Sequence, residues 1–122
     1  MYEAKVTLYF SAAHFLKGYP GNCARIHGHN WRITAAVRAE KLDKLGFVAD
    51  FREIKKNLKE ITDELDHTMI NDHPHFKELN PSSENVAAWI FGRLKEKTDD
   101  ERCRLHFIEV AETQDCSIRY YG

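Results

Sequence analysis

Polar and apolar residues alternate from Tyr2 to Phe10. Tyr2, Ala4, Val6, Leu8 and Phe10 fall on one face, with Glu3, Lys5 and Thr7 on the other. A period of two is that of an extended strand with one face buried, and His14 ends the same alternating segment. A loop rich in Gly and Pro follows through Lys17–Asn22. Alternation returns with Trp31, Ile33, Ala35, Val37 and Ala39 against Arg32, Thr34, Ala36 and Arg38. The two runs predict a long antiparallel pair. The period then changes to steps of three and four at Phe51, Ile54, Leu58, Ile61 and Leu65, the signature of an amphipathic helix, with Asp50 and Glu53 as its capping box. Pro81-Ser82-Ser83-Glu84 opens a second helix whose apolar side is Val86, Ile90 and Leu94. Two more strand-like runs, Leu105–Thr113 and Cys116–Tyr121, close the chain around a turn at Gln114-Asp115. Strands and helices do not alternate singly, so the expected class is α+β: a four-stranded antiparallel sheet with two helices on one face, in the order β-β-α-α-β-β.

A chain of 122 residues has room for one core, so residues 1–122 are read as a single domain. With 18 Lys and Arg against 19 Asp and Glu, the net charge of −1 gives no basic surface for nucleic acid or membrane. No apolar run reaches the roughly 18–20 residues of a membrane span, and Met1-Tyr2-Glu3-Ala4-Lys5 lacks a signal-peptide layout. Cys23, Cys103 and Cys116 are too few and too scattered for a disulfide framework, so a cytoplasmic setting is expected, with Cys103 and Cys116 structural. A sheet of this size leaves two open edges, which points to a homo-oligomer built through them.

The candidate chemistry lies in the first quarter. His27 and His29, at i and i+2 on a strand, point to one face, and His14 at the end of the neighbouring run can reach the same point. Three neutral imidazoles with one open position describe a catalytic zinc site. Cys23, four residues before His27 and beside Arg25, has three readings: a small buried apolar residue, a fourth ligand closing a structural site, or a thiolate base beside an open metal. Asp66-His67 after the first helix is either a helix end whose histidine suits the dipole or a carboxylate orienting an acid–base imidazole. Glu112 shares the face of Ile108 and Val110 near a strand end, where its two oxygens match a guanidine-like N–C–N edge. His73 and His75, separated by Pro74, read as surface histidines, as does His106.

Six ordered phrases carry a resemblance that runs nearly end to end: Phe10-Ser11-Ala12-Ala13-His14, Cys23-Ala24-Arg25-Ile26-His27-Gly28-His29, Phe47-Val48-Ala49-Asp50-Phe51, Leu65-Asp66-His67, Asn80-Pro81-Ser82-Ser83-Glu84-Asn85 and Val110-Ala111-Glu112-Thr113. Together they resemble the 6-pyruvoyltetrahydropterin synthase superfamily of tunnelling-fold enzymes. The resemblance implies zinc on His14, His27 and His29, and Cys23 as proton acceptor. It makes Asp66 and His67 relay partners, and gives Glu112 both a catalytic share in that relay and, with Thr113, the grip on the pterin's 2-amino and N3 edge. It also implies sheets joined into trimeric barrels that stack as hexamers, with active sites between subunits. The gap of three residues between Cys23 and His27 is similar to that of the 6-carboxytetrahydropterin synthases of queuosine and deazapurine biosynthesis, whereas pyruvoyl-forming relatives usually have five. By that similarity the substrate is a pterin triphosphate, 7,8-dihydroneopterin triphosphate, which with water gives 6-carboxytetrahydropterin, acetaldehyde and triphosphate. The pyruvoyl-forming elimination on the same site is the runner-up, and a non-catalytic protein with structural zinc the reading from another class. Lys17 and Arg25 are candidates for the triphosphate, and Ser82-Ser83 stands where the family commonly has Thr.

Overall fold

The structure is a computed structural model that describes residues 1–21 and 24–122. Strand β1 (Tyr2–His14) and strand β2 (His27–Ala39) pair antiparallel over 13 residues each, in a register that sets Tyr2 opposite Ala39 and His14 opposite His27. Each runs further toward the loop than the alternation of apolar residues alone indicates, because histidines continue the inward-facing positions. Helix α1 (Phe51–Thr62) follows, capped by the Asp50 carboxylate, which accepts from the Arg52 N–H at 2.9 Å. Next come a two-residue strand β3 (Thr68–Met69) and two 3-10 turns at Ile70–Asp72 and Pro74–Phe76. Helix α2 (Ser83–Thr98) starts at the cap Ser82, whose hydroxyl accepts from the Asn85 N–H. Strands β4 (Cys103–Ala111) and β5 (Ser117–Tyr120) finish the sheet.

The sheet order is β3-β1-β2-β4-β5. The four expected strands are joined by β3, which runs parallel to β1 along Ala12 and Ala13 and is too short to leave a period in the sequence. One core cluster joins the inward faces of β1, β2 and β4 to Ile54, Leu58 and Ile61 of α1 and Val86, Ile90 and Leu94 of α2, so both helices cover the same face. Phe51, assigned by its period to the apolar side of α1, is instead 61% exposed at the first turn, and the helix ends at Thr62 with Leu65 buried in the turns beyond it. The outer edge of β1 meets only β3, and only at Ala12–Ala13, so both sheet edges retain unpaired backbone among the described residues. No helix is long and apolar enough to cross a membrane.

Candidate active site

The β1–β2 register builds the centre of the site. His14 stands directly across from His27, and His29, two residues along on the same face, stands across from Ala12. Cross-strand and same-face neighbours of this kind lie within side-chain reach, and the three rings meet edge to edge with centroids 4.5, 4.8 and 5.4 Å apart. One nitrogen from each comes within 4.8 Å of the others, so the three histidines form a group able to hold a metal ion. Trp31, fully buried on the same face, closes the site from below, with its ring edge-on to His14 and His29 and its indole N–H on the Ala12 carbonyl.

The backbone selects which nitrogen each ring presents. His14 Nδ1 donates to the Pro81 carbonyl at 2.8 Å, just before the α2 cap, and His27 Nδ1 donates to the Arg25 carbonyl at 2.7 Å. Those bonds leave the Nε2 lone pairs of both rings free for a ligand role, the arrangement expected of imidazoles that bind metal. The Nε2 atoms of His14 and His29 are buried and unpartnered among the described residues. Buried polar atoms without partners are costly, and three converging imidazole nitrogens fit a borderline-soft cation such as zinc. Desolvation lowers the pKa of both His14 and His29 from the ordinary imidazole value, outweighing the attraction of Glu112 and, for His14, the Pro81 bond. Both rings are thereby held in the neutral form that coordinates.

Glu112, one residue past β4, reaches this group. Its Oε1 lies 3.6 Å from His14 Nε2 and its Oε2 3.6 Å from His29 Nε2. Ser83, at the first turn of α2, donates its hydroxyl to Glu112 Oε1 at 3.0 Å, an orienting contact invisible to local pattern because 29 residues separate the two. A hollow beside the carboxylate is lined by Ser83, Glu84, Thr113, Cys116 and Ser117. Cys116 is therefore exposed at the rim, not structural as expected, while Cys103 is buried with its thiol donating to the Val48 carbonyl.

Asp66 and His67 are not brought to the three histidines. The Asp66 carboxylate accepts from the Ser11 N–H at 2.9 Å and from His67 Nδ1 at 3.0 Å. The Ser11 bond, ahead of the histidine, holds its pKa below the usual carboxylate value. His67 has a φ of 58°, strained for a residue with a Cβ, and its side chain is 82% exposed. It borders a shallow hollow with Ser11, Ala12, Ala13, Gly28, His29 and Asn30, at the outer end of the β1–β2 pair. Cys23 lies outside the described residues. Lys17 is tied to the Lys77 carbonyl by its ammonium, and Arg25 is exposed. His73, read as a surface residue, is half-buried, edge-on to Trp89 and 3.0 Å from Glu64. Asn71 went unnoticed in the sequence, and Asn80 figured there only as part of a phrase, with no role. Each exchanges two hydrogen bonds with the loop after β1, at Phe15 and Lys17 respectively, and so braces the end of the strand that carries His14.

Comparison with known proteins adds to this geometry. The family model described as 6-pyruvoyl tetrahydropterin synthase matches residues 3–122. The chain is 37% identical over 118 residues to the 6-carboxy-5,6,7,8-tetrahydropterin synthase of Synechocystis sp., covering 93% of this chain and 88% of that protein. It is 30% identical over 127 residues to the protein of the same name in Bacillus subtilis, covering 97% and 85%. Among solved structures, Caenorhabditis elegans 6-pyruvoyl tetrahydropterin synthase superposes with a TM-score of 0.88 at 27% identity, over 99% of this chain and 95% of that one.

Proposed function

The chain belongs to the 6-pyruvoyl tetrahydropterin synthase family, a family of pterin-processing enzymes, and from that premise we propose that it is a zinc-dependent carbon–carbon lyase. It converts 7,8-dihydroneopterin triphosphate and water to 6-carboxy-5,6,7,8-tetrahydropterin, acetaldehyde and triphosphate in queuosine and 7-deazapurine biosynthesis. The observation that carries the reading is the convergence of three imidazoles with a carboxylate, Glu112, 3.6 Å from two of them. The Ser83 hydroxyl orients that carboxylate at 3.0 Å. The two relatives cited above by the carboxytetrahydropterin name support the carboxy-forming branch, as does the three-residue gap between Cys23 and His27.

In this reading His14, His27 and His29 hold the metal through nitrogens freed by the Pro81 and Arg25 carbonyls. Bound zinc supplies a Lewis acid that polarises the oxygens of the substrate side chain. Glu112, with Thr113 beside it, accepts from the 2-amino and N3 hydrogens of the pterin, a planar pair of donors suited to two carboxylate oxygens. Cys23 takes the proton from the side-chain carbon, and His67 moves a proton from its Nε2 while Asp66 holds Nδ1 and stabilises the imidazolium. Because Asp66 and His67 bond to Ser11 and to each other rather than to the three histidines, and His67 is exposed, they serve the site of a neighbouring subunit in this reading. The open edges of β1 and β5 are the surfaces through which three copies join, and two trimers stack as a hexamer. Incubation of the zinc-loaded protein with 7,8-dihydroneopterin triphosphate tests the reaction: 6-carboxytetrahydropterin with stoichiometric acetaldehyde is expected. Release of triphosphate without acetaldehyde would assign the pyruvoyl-forming reaction instead.

A further inference from the structure

The two oxygens of Glu112 each stand 3.6 Å from one bare imidazole nitrogen, Oε1 from His14 Nε2 and Oε2 from His29 Nε2. That separation is too long for a hydrogen bond. It is, however, close to the distance between two ligands that share one ion, since metal–ligand bonds of about 2.1 Å at a tetrahedral angle put donors about 3.4 Å apart. Both nitrogens are buried and have no other partner among the described residues, so what the carboxylate faces is the place where a cation belongs. We infer that Glu112 is itself a ligand of the metal in the resting enzyme, closing the coordination position left by the three histidines, and gives it up when its carboxylate turns to the pterin. The exchange half of this inference rests on the function proposed above; the ligation half rests on the donor geometry alone.

Three features make the exchange physically reasonable. The carboxylate contacts only two of the three imidazoles, so it approaches the ion from one side and can leave by the same path. Ser83 donates to Oε1 at 3.0 Å and gives the departing carboxylate a second partner. In the present rotamer both oxygens face the imidazole nitrogens, and an N–C–N edge docking in the carboxylate plane would need that same space. The side chain is 29% exposed toward the hollow lined by Ser83, Thr113 and Ser117, which supplies the room for it to swing. Binding of the substrate's ring then uncovers the metal only when a substrate is present to use it, which keeps water from competing at the ion beforehand.

Cobalt(II) in place of zinc makes the coordination visible by its absorption, independently of turnover. The probe is a pterin without a 6-side chain, which offers the N–C–N edge and no side-chain oxygen to the ion. The isosteric Glu112→Gln, with circular dichroism of the metal-free protein as folding control, is expected to bind metal at least about tenfold more weakly in chelator competition. Its cobalt spectrum should differ from that of the wild type in the absence of any pterin. Adding the pterin should move the wild-type spectrum toward that of Glu112→Gln and leave the variant's unmoved. Identical pterin-free spectra with affinities within twofold would overturn the ligation, and pterin bound to the wild type without a spectral change would overturn the exchange. If ligand fluorescence shows no pterin bound to the wild type, the proposed function and the exchange fall together. The pterin-free comparison still decides whether Glu112 is a ligand.

Discussion

The two ends of the β1–β2 pair's chemistry are built in opposite ways. On the helix-covered face, His14, His27, His29 and Glu112 meet within one chain, beside fully buried Trp31, each imidazole tautomer of His14 and His27 chosen by a backbone carbonyl. At the outer edge of β1, Asp66 and His67 form an oriented carboxylate–imidazole pair held by the Ser11 backbone, but 82% of the His67 side chain is open to solvent. The first region is preorganised by the fold of a single copy. The second is preorganised only as a pair and waits for a surface to face.

The comparison breaks most sharply at the metal group. His29→Ala should lower metal affinity by at least about 100-fold, more than the loss of a residue that only supports a ligand, and remove measurable turnover while the fold survives; inductively coupled plasma analysis of dialysed protein and circular dichroism check both halves. His67→Ala, on the exposed face, should leave zinc content unchanged and slow turnover by about 10²–10⁴-fold, the range of a lost acid–base group. Cys23→Ala should behave like His67→Ala, retaining zinc; loss of zinc on that substitution would make the cysteine a structural ligand instead. Mixing is the test that sharpens the contrast. His29→Ala and His67→Ala subunits, the first inactive and the second at least about 10²-fold slowed when alone, should regain part of the wild-type rate after joint unfolding and refolding, since some interfaces then carry both intact halves. No recovery in verified mixed oligomers would return both halves to one chain.

The smallest effect concerns pH. The Asp66 pKa is lowered in the folded protein chiefly by the Ser11 N–H, which outweighs the opposing effect of burial, with His67 adding to the lowering. The folded state therefore holds its proton less tightly than the unfolded state, whose carboxyl titrates near 3.8. The stabilisation is present above that value and disappears as pH falls through the lower folded value. Asp66→Asn should accordingly melt below the wild type near neutral pH by a degree or so, and the gap should close below about pH 4; a gap constant with pH would mean the carboxylate's charge contributes nothing.

The elements legible in the sequence are those whose neighbours along the chain report on burial. Val86, Ile90 and Leu94 are fully buried on α2 as their spacing predicts, and the strand alternation from Tyr2 to Phe10 matches the observed burial from Ala4 onward, though Tyr2 itself is exposed at the strand end. Phe51 broke the pattern because a first-turn residue lies at the rim of the helix contact, where period no longer implies cover. Strand β3 was invisible because two residues cannot show a period; its existence depends on the free edge of β1 beside it. His73 looked like a loop residue and is packed against Trp89, a neighbour that only chain reversal supplies.

The residue types at the site, their parity and their grouping were settled by the sequence alone: two histidines at i and i+2 must share a face, and the histidine ending the neighbouring strand can join them, because the pleat admits no other arrangement. What the tertiary structure decided is which nitrogen the rings of His14 and His27 present, that Glu112 reaches the Nε2 atoms of His14 and His29 and is held by Ser83, and that Asp66 and His67 sit at the outer edge of β1. These depend on strand register, on where a helix cap leaves the Pro81 carbonyl and on which edge β3 joins. Such quantities are set by contacts between residues far apart in the chain, which no local pattern encodes.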